Sequence, residues 1–467
     1  MDARIAIDDP LRHPGLSAAG ATILQRMAAH PHAPRFSGRS GHRLHGADIE
    51  EARVFEQWVQ ATRPAWRHGE PPDWLQGFVS EACRTVPAYR DYGKVPFASL
   101  PTISRADLSA DVSAYVPDHV AIAELIAFTT SGTTGHPLVV PSHPRVAARY
   151  LAFHLEALRG VGITPQTGAG QVGIVLAGYQ ERCFTYLSVN PTLHESGLAK
   201  LNFHPNDWRK PQDRAAYLDA LAPEFISGDP ISLAALAELP VVHCPRALLS
   251  TSMALPPGLR AAFERRFGCP VLDIYSMNEA GPIGVYDERR HGFRLLQPHL
   301  YVEILSPVGL PLAPGETGEI TLTGGFNFCL PLIRYRTGDF GALRFDEDGV
   351  PALTALQGRA PVRYRGEHGN WINNLEVTHA LAHCALAQYA LHQATDGSFS
   401  LTLYGGAGGA GDADAAMAAL KTLFGNGAAI HLVREPLPTA KVKQYTSALY
   451  SASAERESCT TAPCPSS

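Results

Sequence analysis

None of the eight cysteines stands in a C-x-x-C pair, and their scatter (Cys83, Cys183, Cys244, Cys269, Cys329, Cys384, Cys459, Cys464) supports neither a metal cluster nor a disulfide framework. No apolar run reaches the ~20 residues that a membrane-spanning helix needs, so no membrane role is expected. Lys and Arg number 39 against 44 Asp and Glu, and they form no long basic stripe, which argues against nucleic acid as a partner. The start, MDARIAIDDPLRHPG, has acids where a secretory leader needs a basic and then an apolar stretch, so a cytoplasmic location is expected. The chain lacks G-x-x-x-x-G-K-[ST] and G-x-S-x-G, which removes the P-loop and nucleophile-elbow chemistries. Two letter matches to the dinucleotide fingerprint fail in context. GAGQVG (168–173) precedes its strand, and GAGGAG (406–411) reads as a linker of small residues.

What is present is a globular composition, 45% hydrophobic and 18% charged, in 467 residues, more than one core usually organises. The first ~120 residues read as mainly helical. GADIEEARVFEQWVQATR has helical apolar spacing with early acids, and PPDWLQGFVSEACRTV opens on prolines. Strand and helix signals then alternate to about residue 345. RVAARYLAFHLEAL, PQDRAAYLDALA and LPPGLRAAFERRFG read as helices; QVGIVLAGY, PEFISG and CPVLDIYS read as strands. That alternation predicts an α/β domain with a mostly parallel sheet. YVEILSP and GEITLTG read as antiparallel strands, and ALRFDEDGVPALTALQG as a hairpin turning at DEDG. Beyond Gly358 a compact α+β unit follows: EVTHALAHCALAQYALHQA is expected as a helix, SFSLTLYG as a strand, DADAAMAALKTLFG as a helix and AAIHLVRE as a strand. The expected division is a large domain over 1–359, a small domain over 360–450 and a disordered tail over 451–467.

Residues 129–137, TTSGTTGHP, are too polar for a core strand and too poor in helix formers for a helix. Such a loop suits acceptor-rich ligands, phosphate first among them. Its companions are YSMNE (275–279) directly after a predicted strand, RYRTGD (334–339), GR (358–359) and PTAKVK (438–443). Each alone has an ordinary explanation; their order and spacing together do not.

With these motifs the chain resembles the AMP-forming adenylating superfamily, and within it the phenylacetate–CoA ligase branch with its capsular-biosynthesis-type relatives. TVPAYRDYGKVPFASLPTISRADL (85–108), SGDPISLAALAEL and PLIRYRTGDF add to that likeness. The resemblance implies a large ATP- and acid-binding domain and a small mobile C-terminal domain. It implies that ATP, with Mg2+, activates a carboxylic acid as an acyl-adenylate, which then passes to CoA. Ser131, Gly132, Thr133, Thr134 and Gly135 would wrap the β- and γ-phosphates. Glu279 would hold Mg2+, Tyr275 would cover the adenine, and Ser276 and Asn278 replace the usual Gly and Thr beside the α-phosphate. Asp339 would take the ribose hydroxyls, Arg359 would approach ribose or phosphate, and Lys441 would neutralise the α-phosphate, with Lys443 as its rival. GYQERCFTYLSVN (178–190) would line the acid pocket, with Tyr179, Phe184 and Tyr186 either suiting an aromatic ring or standing as ordinary core, and Arg182 would meet a second charge on the acid or stay in solvent. Pro361 stands where the hinge acid is usual, which leaves an amine as the alternative acceptor. A nucleotide-binding relative without catalysis is the alternative of another class, and a homodimer is compatible with the sequence.

Overall fold

The computed structural model describes residues 6–129, 138–358, 362–405, 410–439 and 442–449. The loop 130–137, Arg359, Pro361, residues 406–409 of GAGGAG, Lys441 and the tail 451–467 lie outside the described residues. The chain divides into two compact units, one of Met1–Ala254 with Phe267–Leu356, the other of Leu255–Arg266 with Gln357–Ser467.

At the centre of the first unit, Ser196–Asn202, Val172–Gly178, Phe225–Gly228, Ala247–Thr251 and Val271–Met277 lie side by side, all parallel. Their sequences are nearly unbroken apolar runs, as strands covered on both faces require. Phe225, Ile226, Ala247, Leu248 and Ile274 are buried to 1% exposure or less, so truncating a large one to Ala would cost about 2–5 kcal/mol. Helix Pro144–Gly160 packs Phe153, Leu155 and Leu158 into this core. It starts cleanly because Pro144 occupies its first turn and the His143 ring accepts from Arg145 N at 3.1 Å. The fold is α/β. The same sheet, thirteen-stranded among the described residues, continues through antiparallel strands Gly281–Asp287, Gly292–Leu295, Pro351–Gln357, Leu332–Phe345, Gly318–Gly324 and Leu300–Leu305.

The predicted antiparallel pair and the DEDG hairpin are present, the turn closed by Asp346 N to Val350 O at 3.1 Å. The first 120 residues hold helices Ala18–Ala29, Gly46–Ala61, Trp74–Thr85 and Arg105–Ala110, but 30–45 and 62–73 are irregular. Their Pro, Gly and Ser content punctuates rather than propagates a helix. Short strands at Tyr186–Asn190 and Ser196–Asn202 had no pattern long enough to be read in advance.

In the second unit the order of strands is Ile430–Glu435, Phe399–Tyr404, Gln388–Gln393, Tyr445–Ser447, with helices Asn374–Leu381 and Ala410–Phe424. The single helix expected over 376–394 is a correction. The helix ends at Leu381, and QYALHQ is the strand Gln388–Gln393, whose alternate residues Tyr389 and Leu391 enter the core. A two-residue period carried it, hidden inside an Ala-rich run that scores as helix.

Candidate functional site

Parallel strands bring their carboxyl ends to one edge of a sheet, the edge at which α/β proteins bind ligands. Here that edge is made by Tyr179 after Gly178, Asp229 after Gly228, Ser252 after Thr251 and the run from Tyr275 to Glu279. Ser252 has φ +69, a left-handed conformation that a serine adopts at some cost, and it sits at this edge. The loop 130–137 is flanked by strands Ile126–Thr129 and Val139–Ser142, paired antiparallel with Thr129 opposite Val139.

Asp339 owes its position to a bulge. Between Gly318–Gly324 and Leu332–Phe345 the register advances two residues on one side, Thr321 to Glu319, and four on the other, Arg336 to Phe340. Thr337, Gly338 and Asp339 occupy the excess, with Gly338 at φ +78, a value that suits glycine. Thr337 Oγ1 donates to Ile320 O at 2.9 Å and accepts from Asp339 N at 3.1 Å, while Glu319 Oε1 accepts from Gly338 N at 3.1 Å. The Asp339 carboxylate meets the sheet edge there. The Tyr275 hydroxyl donates to Asp339 Oδ2 at 2.9 Å. Burial, with the Asp339 charge beside it, holds the Tyr275 phenol well above its usual range, so it stays a donor.

Glu279 is 4% exposed, in the turn between Val271–Met277 and Gly281–Asp287. Its Oε1 accepts from Arg105 Nη1 at 2.9 Å and from the Tyr335 hydroxyl at 3.1 Å. Burial and then the Glu279 charge raise the Tyr335 phenol, and the same two causes push Tyr150 up to about 12. Arg105 arrives by an unusual route: Ile103–Ser104 pairs parallel with the strand Leu332–Phe345, Ile103 opposite Tyr335 and Ser104 opposite Arg336. A capping box, Asp107 Oδ2 accepting from Ser104 N at 2.7 Å, then starts a helix at Arg105. Arg105 and Tyr335 are site residues that the sequence reading did not single out. The S-x-x-D start signal in ISRADL was the available clue.

The first arginine of RYRTGD has a different place. Arg334 is 4% exposed, at φ +46, and its guanidinium bonds Glu303 at 3.3 Å, Ala98 O at 3.1 Å and Leu100 O at 2.7 Å. It fastens the segment leading to Arg105 onto the sheet.

Of the expected site residues, Tyr275 and Asp339 meet directly, with Glu279 on the adjoining turn. Ser276 is partly buried opposite Pro282, and Asn278 is exposed. The three aromatics expected around the acid do not converge on a common space: Tyr179 packs on His204 at 5.4 Å, and Phe184, 54% exposed, on Tyr186 at 5.6 Å. The N-terminal segment clamps this stretch, Ser37 Oγ donating to Cys183 O at 3.1 Å and Gly38 N to Thr185 O at 2.7 Å. Arg182 is exposed, as is Lys443, which lies in the second unit. Ser131, Gly132, Thr133, Thr134, Gly135, Arg359 and Lys441 are outside the described residues.

No group of three or more His, Cys, Asp or Glu side chains is gathered among the described residues. A hard cation such as Mg2+ takes as little as one protein carboxylate and completes its shell with phosphate oxygens and water. Glu279 fits: Oε1 is held by Arg105 and Tyr335, while Oε2 has no such contact among the described residues.

Residues 111–328 match the family described as AMP-binding enzyme. The phenylacetate-coenzyme A ligase of Escherichia coli (strain K12) is 42% identical over 89 residues, and that of Pseudomonas putida 38% over 89. Each match covers 18% of this chain and 20% of the relative, so the similarity spans about a fifth of those proteins. Among solved structures, 2-hydroxyisobutyryl-CoA ligase in the postadenylation state with 2-HIB-AMP has a TM-score of 0.61 at 18% identity, covering 85% of this chain and 93% of that one. The same ligase in an open conformation with 2-HIB-AMP and CoA has a TM-score of 0.53 at 19% identity, covering 82% and 93%. At such identities the likeness is one of fold.

Proposed function

We propose that this chain, residues 111–328 of which match the family described as AMP-binding enzyme, is an ATP-dependent, AMP-forming carboxylate ligase. The observation that carries this reading is the Tyr275–Asp339 pair beside the buried Glu279, at the carboxyl edge of the parallel strands.

In the first step a carboxylate oxygen of the acid attacks the α-phosphorus of ATP. The bond to the bridging oxygen breaks and pyrophosphate leaves with its electron pair, so no protein nucleophile is needed. The transition state spreads charge over phosphate oxygens and is stabilised by positioned donors and cations. Asp339, ionised, accepts from both ribose hydroxyls, and Tyr275 holds its carboxylate in one orientation while shielding the adenine side. Glu279 would hold Mg2+, which would supply positive charge at the phosphates. Arg105 and Tyr335 keep the Glu279 carboxylate in place. Asn278, exposed at the turn, donates to the α-phosphate. The loop Ser131–Gly135 encloses the leaving phosphates, Arg359 approaches the ribose, and Lys441 neutralises the α-phosphate in adenylation.

In the second step the acyl group passes to the thiol of CoA, releasing AMP. The phenylacetate-coenzyme A ligases support that acceptor by their names. An amine is the second reading, favoured by Pro361, whose fixed φ would restrict a hinge. The acid is aromatic or small and polar.

Product analysis tests this. With ATP, Mg2+ and a panel of aromatic and small polar acids, the protein should release pyrophosphate and AMP. Hydroxylamine should capture the activated acid as its hydroxamate, and CoA should be consumed in preference to amines. Formation of ADP and phosphate instead would contradict the reading.

A further inference from the structure

A cavity of about 340 Å³ lies in the first unit, apart from every residue assigned above to nucleotide or acid. Its walls are largely aromatic: Phe55, Trp58, Phe78, Phe153, Phe326 and Phe328. The volume falls in the range of small-ligand pockets. A purely aromatic cavity would be core with a packing fault. Two polar side chains in the wall argue otherwise.

Gln297 is 1% exposed, and its amide orientation is fixed because Nε2 donates to Ala280 O at 2.6 Å and Pro282 O at 2.8 Å. Its Oε1 is left with no partner. That oxygen is the nearest atom to where a Cβ on Gly325 would stand, at 3.8 Å, and Gly325 itself lines the cavity. A buried acceptor without a donor costs about 1–3 kcal/mol, so the site is built for a group that supplies one. Arg149, the second, already spends its charge. Nη2 pairs with Glu51 Oε1 at 2.5 Å and Nη1 donates to Phe326 O at 3.1 Å, while the guanidinium lies 4.7 Å from the Phe55 ring and 5.3 Å from that of Phe328. Its buried Nε, also without a partner, faces no acid. The cavity therefore offers an acceptor, an aromatic box that His299, stacked on Trp74 at 4.7 Å, extends, and a cation whose charge Glu51 already meets.

We propose that this cavity is a second ligand site, for an uncharged planar aromatic molecule of one or two rings carrying one N–H or O–H donor, which Gln297 Oε1 accepts. It lies behind the turn that carries Glu279, since the same Gln297 amide holds the carbonyls on either side of Gly281, and Phe326 lies where a side chain at Gly281 would go.

Indole and benzofuran are the probes: they share a shape, and only indole has a donor. Titration calorimetry on the full chain should give one indole site, with benzofuran roughly tenfold weaker, the value of one hydrogen bond to a buried acceptor. Ala82, 2% exposed and part of the wall, permits a blocking variant. Ala82→Phe should abolish indole binding while leaving pyrophosphate release intact. Indole binding that survives in active Ala82→Phe would overturn the proposal, as would equal affinities for the two probes or no saturable binding of either. The probe comparison needs only the wild-type chain, so it decides even if Ala82→Phe does not fold. The comparison of indole with benzofuran does not depend on which acid the enzyme activates.

Discussion

Glu279 holds its carboxylate at 4% exposure through two side chains, Arg105 and Tyr335, brought from segments 174 and 56 residues away. Removing one partner of such a pair leaves a buried charge short of compensation, whereas removing both is far cheaper. Arg105 is 32% exposed, so solvent discounts the effect. Arg105→Met should cost on the order of 1–3 kcal/mol in stability, read from denaturant midpoints. The double variant Arg105→Met with Glu279→Gln should recover about half of that loss. Strict additivity would show that the pair is incidental. Arg105→Lys should retain part of the stability but less of the rate, because a lysine point charge cannot copy the planar guanidinium contact.

At the scale of elements, the segment ahead of helix Gly46–Ala61 packs on the edge strand Tyr186–Asn190. His13, 1% exposed, has Nε2 at 3.1 Å from Ser188 Oγ, while its Nδ1 has no partner. Burial, then the neighbouring His42 and Arg12, lowers the His13 pKa from 6.5 to about 4. The unfolded chain therefore binds a proton at His13 below pH 6.5 that the folded chain refuses until about pH 4. Stability is full above pH 6.5 and declines as pH falls to about 4, by roughly 3 kcal/mol from this residue. Thermal unfolding across that window should show the decline in the wild type and a shallower slope in His13→Gln. Parallel slopes would remove His13 from the account. Nothing in the sequence marked this histidine, one of 20, because its burial depends on a strand at 186–190 that has no periodic signal. The long central strands and helix Pro144–Gly160 were legible, since apolar run length and proline entry survive in one dimension. The motif RYRTGD marked Asp339 as a candidate; its bulge and its bond from Tyr275 were not legible, because both need the register of strands far apart in sequence. Arg105 was illegible for the same reason.

At the scale of the molecule, the chain divides into two compact units. The residues proposed to meet the nucleotide, Tyr275 and Asp339, lie in the first, on strands Val271–Met277 and Leu332–Phe345. In the second, Gln444 O accepts from Leu391 N at 2.8 Å, tying the chain to the small sheet three residues after Lys441. The proposed chemistry gives a lysine of PTAKVK the neutralising role in adenylation. Lys441→Ala should therefore lose pyrophosphate release yet still turn over a supplied acyl-adenylate; if Lys443→Ala does so instead, the register of the motif is shifted by two. The central claim is that Asp339, oriented by Tyr275, holds the ribose of ATP. Its most direct test is acid-dependent exchange of labelled pyrophosphate into ATP, measured across ATP concentrations in the wild type, Asp339→Ala and Tyr275→Phe. The ATP half-saturation should rise roughly tenfold or more in Asp339→Ala and several-fold in Tyr275→Phe, with the acid half-saturation unmoved. Superimposable ATP curves for all three proteins would contradict it.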